Sequence, residues 1–316
     1  MTGTDGKRDH GGGIDGAVAR FGGTRGDWID LSTGINPLPY PLPDFPPDAW
    51  TALPDQGAFE ALSDAARAFW RVPGGAALLA APGASALIAR IPALLPAGTV
   101  EIPAPTYNEH RAAFRAHGWQ EGNGDALVVV HPNNPDGRVW TEAELASDRR
   151  LTVIDESFGD VLPESSLVHL AERPGVVVLK SFGKFWGLAG LRLGFAIAHP
   201  ETIDRLAEMI GPWAVSGPGI ATGTVALRDL GWAEETRARL ARDAERLDAV
   251  MTRAGAAIAG GTTLFRLYDV GEAARWQERL ARHHIWTRIF PYSDRWIRFG
   301  LPGPEAHWAR LEEALA

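Results

Sequence analysis

Five short apolar runs do most to limit what this chain can fold into. "TVEI", "ALVVV", "LTVID", "VVVLK" and "LRLGFAIA" succeed one another between residues 98 and 198, each separated from the next by helical or loop sequence. A strand that is apolar on both faces is buried on both faces, and such strands joined by crossovers make a mostly parallel sheet covered by helices. Upstream, Phe59, Leu62, Ala66, Phe69 and Trp70 form a helical stripe, and "AALLAAPGASALIARIPALL" reads as strand, tight turn and helix. The expected core is α/β. After Pro218 the pattern changes to long charged helices, "TTLFRLY", a helix from about Glu272 to His283, "IWTRIF", "RWIRFG", and a last helix holding Trp308, Leu311 and Leu315. That order predicts a small α+β domain. The chain therefore divides into a Pro- and Gly-rich arm over 1–54, expected to be mostly extended across another surface, a large domain over 55–218, and the small domain over 219–316.

Composition removes several function classes. The 316 residues contain no cysteine, which excludes disulfides, thiolate catalysis and zinc sites built on sulfur, and nothing calls for a metal. A net charge of −8 argues against nucleic acid. The densest charge run, "EETRARLARDAERLD" over Glu234 to Asp248, mixes signs at helical spacing and reads as a solvated helix face. No apolar run reaches the roughly 20 residues of a membrane helix, and "MTGTDGKRDH" lacks the apolar stretch of a signal peptide, so the cytoplasm is the expected location.

Four features carry chemistry. Gly83, Ala84 and Ser85 stand at a strand-to-helix turn, where free amides favour a phosphate. Asn134, in "HPNNPDG", follows a buried strand on a turn that aims its amide. Asp155 ends the strand "LTVID", where ligands of parallel sheets sit, and a carboxylate there must meet a donor or a cation. Lys184 lies just past "VVVLK" in a glycine-punctuated segment, with Arg192 eight residues on. A phosphate cup, a fixed amide, a buried acid and a lysine amine together match the needs of pyridoxal phosphate.

The segments "NNPDG", "DESF" and "SFGKFWGLAGLRLG" resemble the N-P-T-G, D-E-A-Y and S-x-S-K-x-x-G-L-A-G-x-R-x-G motifs of fold-type I, aspartate aminotransferase-like enzymes, over roughly Asp30 to the end. The resemblance implies a homodimer, and a lysine, Lys184, that attaches to the cofactor's aldehyde. It implies Asp155 as partner of the ring nitrogen, Asn134 as donor to the ring hydroxyl, and Tyr107 stacked on the ring. Gly83, Ala84, Ser85, Ser181 and Arg192 fall at its phosphate site.

Arg288 and Arg298 match family arginines that take a substrate phosphate and the α-carboxylate, which implies a phosphorylated amino acid. "HGGGIDGAVARFG", "WIDLSTGINPLPYP" and "GPWAVSGPG" are similar to the threonine-phosphate decarboxylase branch, implying that His10 reaches the substrate phosphate and Asn36 the carboxylate region. That branch decarboxylates L-threonine O-3-phosphate for cobalamin biosynthesis; an aminotransferase of the histidinol-phosphate kind is the alternative. Three departures stand out: Phe158 where aminotransferases have tyrosine, Leu53 at the place of a partner-reaching tyrosine, and Gly183 before the lysine in place of a hydroxyl residue.

Overall fold

The computed structural model describes residues 9–146 and 148–316. In chain order its helices and strands are α1 (Ile14–Phe21), β1 (Ile29–Asp30), α2 (Gln56–Trp70), β2 (Ala77–Ala81), α3 (Ala84–Ile88), β3 (Thr99–Glu101), α4 (Asn108–Ala116), β4 (Gln120–Glu121) and β5 (Ala126–Val130). There follow α5 (Glu142–Leu145), β6 (Leu151–Asp155), β7 (Val176–Ser181), β8 (Gly194–Ala198), α6 (Pro200–Ile210), α7 (Gly217–Arg228) and α8 (Leu230–Arg253). The last are β9 (Ala257–Thr262), β10 (Phe265–Asp269), α9 (Ala273–Ala281), β11 (Ile285–Trp286), β12 (Arg288–Phe290), β13 (Ser293–Gly300) and α10 (Glu305–Leu315).

Two compact units emerge. One runs from Leu38 to Leu240; the other joins the described residues up to Pro37 with Ala241–Ala316. The sequence reading put these partings at 54/55 and 218/219. The first unit runs past 218 because α7 packs on α2, where Gly223 lets Leu62 and Leu193 come so close that a Cβ would lie 2.9 Å and 2.6 Å from their methyls, and on to Leu240 because Trp232 stacks on Trp186 and Arg237 donates to the Asp160 carbonyl at 2.7 Å.

In the Leu38–Leu240 unit the apolar runs form one seven-stranded sheet of order β2-β8-β7-β6-β5-β3-β4. The ladders from β4 through β7 are parallel, whereas β8 runs antiparallel to both β7 and β2. Every residue of β5, β6 and β8 is buried, as continuous apolarity requires of strands covered on both faces. Val128, Val153, Leu179, Phe114 and Trp119 join one core with α3 and α6, each large side chain contributing about 1.5–3 kcal/mol on burial.

In the other unit, β12-β13-β10-β9 form an antiparallel sheet, and β1 pairs in parallel with β11. The N-terminal residues, expected to be mostly extended, contain helix α1. Its Ile14 and Ala17 bury against Trp28 and Ala281, an i,i+3 apolar face strong enough to fold despite the flanking glycines.

Candidate active site

Within the Leu38–Leu240 unit, Ala84, Ser85, Tyr107, Asn134, Asp155, Ser181, Lys184 and Arg192 line one pocket. It opens beyond the carboxyl ends of β5, β6 and β7, where a parallel sheet leaves room for a ligand. The ninth expected cofactor residue, Gly83, adjoins it as the N-cap of α3.

One end of the pocket is built for an anion. Gly83 has φ +82°, and a Cβ there would stand 2.4 Å from Arg192 Nη2, so only glycine lets the guanidinium lie against this turn. Arg192 itself has φ +53° and donates from Nη1 to the Ala189 carbonyl at 3.0 Å. Gly194 opens β8 so tightly against the same turn that a Cβ would fall 2.3 Å from the Ala84 nitrogen. Ala84, Ser85, Ser181 and Arg192 line the same pocket, so the start of α3, a hydroxyl and a guanidinium are available there to an anion.

The same pocket holds a buried acid. Asp155 is 2% exposed at the end of β6. Its Oδ1 accepts from the Ser157 amide at 2.9 Å and hydroxyl at 2.5 Å, and its Oδ2 pairs with His110 Nε2 at 2.8 Å. Burial alone pushes this carboxyl up, but the hydrogen bonds and charge of His110, with those of Ser157, outweigh it and hold Asp155 below the usual carboxylate range. The acid stays ionised. Sequence reading missed His110, which sits one turn after Tyr107 on α4; its ring meets the Tyr107 ring edge-on at 6.1 Å. It missed Asn133 too, whose amide bonds Thr106 Oγ1, the Pro105 carbonyl and Asp136, tying the loop that carries Tyr107 to the turn that carries Asn134. The only signal for either was its position beside a residue already singled out.

Lys184 is held by what flanks it. Phe182, Phe185 and Trp186 are wholly buried, Phe182 stacks on Trp186 at 5.1 Å, and Trp186 stacks on Trp232 at 5.3 Å. The Trp186 indole donates to Asp160 at 3.1 Å. With its aromatic neighbours anchored, Lys184 lines the pocket, its ammonium 5.4 Å from the centre of the Phe158 ring. Gly183 sits 3.3 Å, as a Cβ would, from the Ala189 Cα, so the family's hydroxyl residue would be crowded here. Lys180, at the end of the strand "VVVLK", is buried and paired with Glu156 at 2.5 Å and Asp160 at 3.7 Å.

The four residues expected at the substrate belong to the other unit. Arg288 on β12 and Arg298 on β13 are direct antiparallel partners, which places both side chains on one face of the sheet. Arg298 is 5% exposed and donates to the Ser32 carbonyl at 2.6 Å. Burial, then the like charge of Arg288, pushes its guanidinium down to about 10. Arg288 forms a two-pronged pair with Asp9, at 2.8 and 2.7 Å. Asn36 is buried and His10 exposed, next in sequence to Asp9.

A mostly parallel sheet presenting a lysine, a buried acid and an anion cup beyond its strand ends defines a pyridoxal-phosphate enzyme class, and the chain belongs to it: residues 119–315 match the family "Aminotransferase class I and II". More particularly, the chain is 41% identical to a threonine-phosphate decarboxylase of Sinorhizobium sp and 40% identical to one of Pseudomonas aeruginosa, each over 97% of both chains. A histidinol-phosphate aminotransferase of Symbiobacterium thermophilum is 35% identical over 47% of this chain and 43% of its own. Among solved structures, the histidinol-phosphate aminotransferase of Sinorhizobium meliloti in complex with pyridoxal-5'-phosphate shares the fold, with a TM-score of 0.80 at 19% identity over 96% of this chain and 93% of that one.

The pocket suits that cofactor on its own chemistry. An ionised, buried Asp155 matches a protonated ring nitrogen, the glycine-lined turn against Arg192 matches a phosphate, and Lys184 reaches the same pocket as both.

Proposed function

We propose that this chain is a pyridoxal-phosphate-dependent decarboxylase of L-threonine O-3-phosphate, yielding (R)-1-amino-2-propanol O-phosphate for cobalamin biosynthesis. The observation that carries it is similarity to two threonine-phosphate decarboxylases along nearly the whole chain, against less than half for the histidinol-phosphate aminotransferase. Pyridoxal phosphate supplies the electron sink for the bond broken at the substrate's α-carbon.

The chain's residues do the rest. Lys184 would hold the cofactor through its Nζ, and the same amine would return a proton to the substrate's α-carbon. Asp155, ionised in the pocket, would pair with a protonated ring nitrogen and so favour the ring's role as electron sink. Asn134 donates to the ring oxygen, alone where aminotransferases add a tyrosine, since Phe158 brings no hydroxyl. Tyr107 would cover the ring face, and Gly83, Ala84, Ser85, Ser181 and Arg192 would hold the cofactor phosphate. Arg298 takes the substrate carboxylate, Arg288 with His10 its phosphate, and Asn36 the carboxylate region. Fixed at two charged ends, the substrate is oriented so that carbon dioxide rather than a proton leaves. The protein works as a homodimer in the cytoplasm. Leu42, Trp50 and Leu53, 60%, 73% and 63% exposed, are the kind of surface a second copy covers.

The test is incubation of cofactor-loaded protein with threonine phosphate, following carbon dioxide, amine product and, with 2-oxoglutarate present, keto acid. Carbon dioxide and aminopropanol phosphate in equal amounts are expected. Keto acid, or turnover of histidinol phosphate alone, would make the chain an aminotransferase. Borohydride reduction should trap cofactor on the protein and fail to do so in Lys184→Ala.

A further inference from the structure

The Asp9 pair with Arg288 raises a question that the proposed function leaves open. Two arginines stand opposite each other on neighbouring strands, and burial, then the like charge of Arg288, lowers the Arg298 guanidinium to about 10, where it still carries its charge near neutral pH. Such a pair demands an anion on its face. Asp9 supplies one: both of its oxygens engage the Arg288 fork, Oδ1 with Nη1 at 2.8 Å and Oδ2 with Nη2 at 2.7 Å. The Arg288 side chain is 12% exposed and that of Asp9 47%, so the carboxylate closes over a largely buried cation from the solvent side.

The segment behind Asp9 is fastened. Gly11 lies so close to the Ser32 carbonyl that a Cβ would be 2.5 Å from its oxygen. The Gly12 amide donates to Ser32 Oγ at 2.6 Å, and the Trp286 indole donates to the Gly12 carbonyl at 3.0 Å. Ser32 is also the residue whose carbonyl accepts from Arg298. Two or three residues of slack separate these ties from the Asp9 side chain, enough for it to leave Arg288 while the segment stays docked.

We infer that Asp9 is a built-in stand-in for the substrate's phosphate on Arg288, which an incoming anion must displace, so that only an anion that binds Arg288 strongly occupies the site. The inference rests on the reading of Arg288 as the phosphate-binding arginine. A tethered carboxylate competes at high effective concentration. A free carboxylate offers the same single charge and gains nothing by the exchange. A phosphate, carrying about −1.5 to −2 near neutral pH and three acceptor oxygens, gains on both counts. Asp9 thus lowers affinity for every anion by one common factor, which leaves weakly binding monoanions below a useful occupancy while phosphate still binds.

The test measures inorganic phosphate binding to cofactor-loaded protein by titration calorimetry, with acetate as competitor, in the wild type, Asp9→Asn, Asp9→Ala and Arg288→Gln. Both Asp9 variants should bind phosphate about fivefold tighter, the scale of releasing a partly exposed ion pair. Acetate should gain by the same factor, since both anions displace the same carboxylate. Unchanged or weaker phosphate binding in both Asp9 variants, with Arg288→Gln binding it poorly, overturns the stand-in and leaves the role of Arg288 intact. Phosphate binding that Arg288→Gln does not alter overturns that role itself.

Discussion

At the scale of single residues, the site depends on acids that burial alone would neutralise. Asp155 remains ionised because His110 and Ser157 outweigh its desolvation. A carboxyl held below its ordinary value is charged above its folded pKa and loses charge as pH falls through it. His110→Phe removes the main counterweight, so the pKa should rise and the acid limb of kcat/KM should move to higher pH. Activity below the new limb should drop about tenfold for each unit of movement, which a pH–rate profile with parallel cofactor absorbance would show. The Glu156–Lys180 pair is a purely structural counterpart. Burial pushes Glu156 up, but Lys180, Ser166 and the Leu167 amide pull it below its usual range. Glu156→Ala leaves Lys180 buried beside Asp160 alone and should cost about 3–5 kcal/mol in denaturant unfolding. Asp155, Asn134 and Lys184 could be read from the sequence because strand ends and glycines frame them. His110 and Asp9 could not, since a histidine on a charged helix and an aspartate in a polar terminus look like solvated groups until a partner is placed against them.

At the scale of elements, the turn from β2 into α3 and the start of β8 form one closely fitted joint. Gly83→Ala forces a side chain into the left-handed region and into the Arg192 guanidinium at once. The expected result is loss of cofactor during dialysis, with unfolding changed far less than in Glu156→Ala, since the collision is with one flexible side chain. Equal cofactor retention in wild type and variant would refute the joint's role. Apolar runs announced β5, β6 and β7 with their boundaries nearly intact, because burial on both faces leaves a continuous signature. That signature carries no direction, so the antiparallel course of β8 was not in it. Helix α1 escaped notice because three glycines in a row precede Ile14 and dominate the local composition.

At the scale of the whole molecule, the five central strands were legible, while the partings at 37/38 and 240/241 were not. A charged helix such as α8 shows its amphipathic pattern without interruption, and nothing in that pattern marks where one packing surface ends and another begins. The stacked rings of Trp186 and Trp232 beneath the lysine loop have a use beyond stiffness. Trp186 follows Lys184 by two residues, so a chromophore captured by that amine lies within energy-transfer range of a rigid indole pair. Ultraviolet emission should therefore dim as cofactor is taken up, and the dimming should vanish in Lys184→Ala if capture is lost with the amine. The molecule then reports its own loading by light, without a label, at every stage of a purification or a titration.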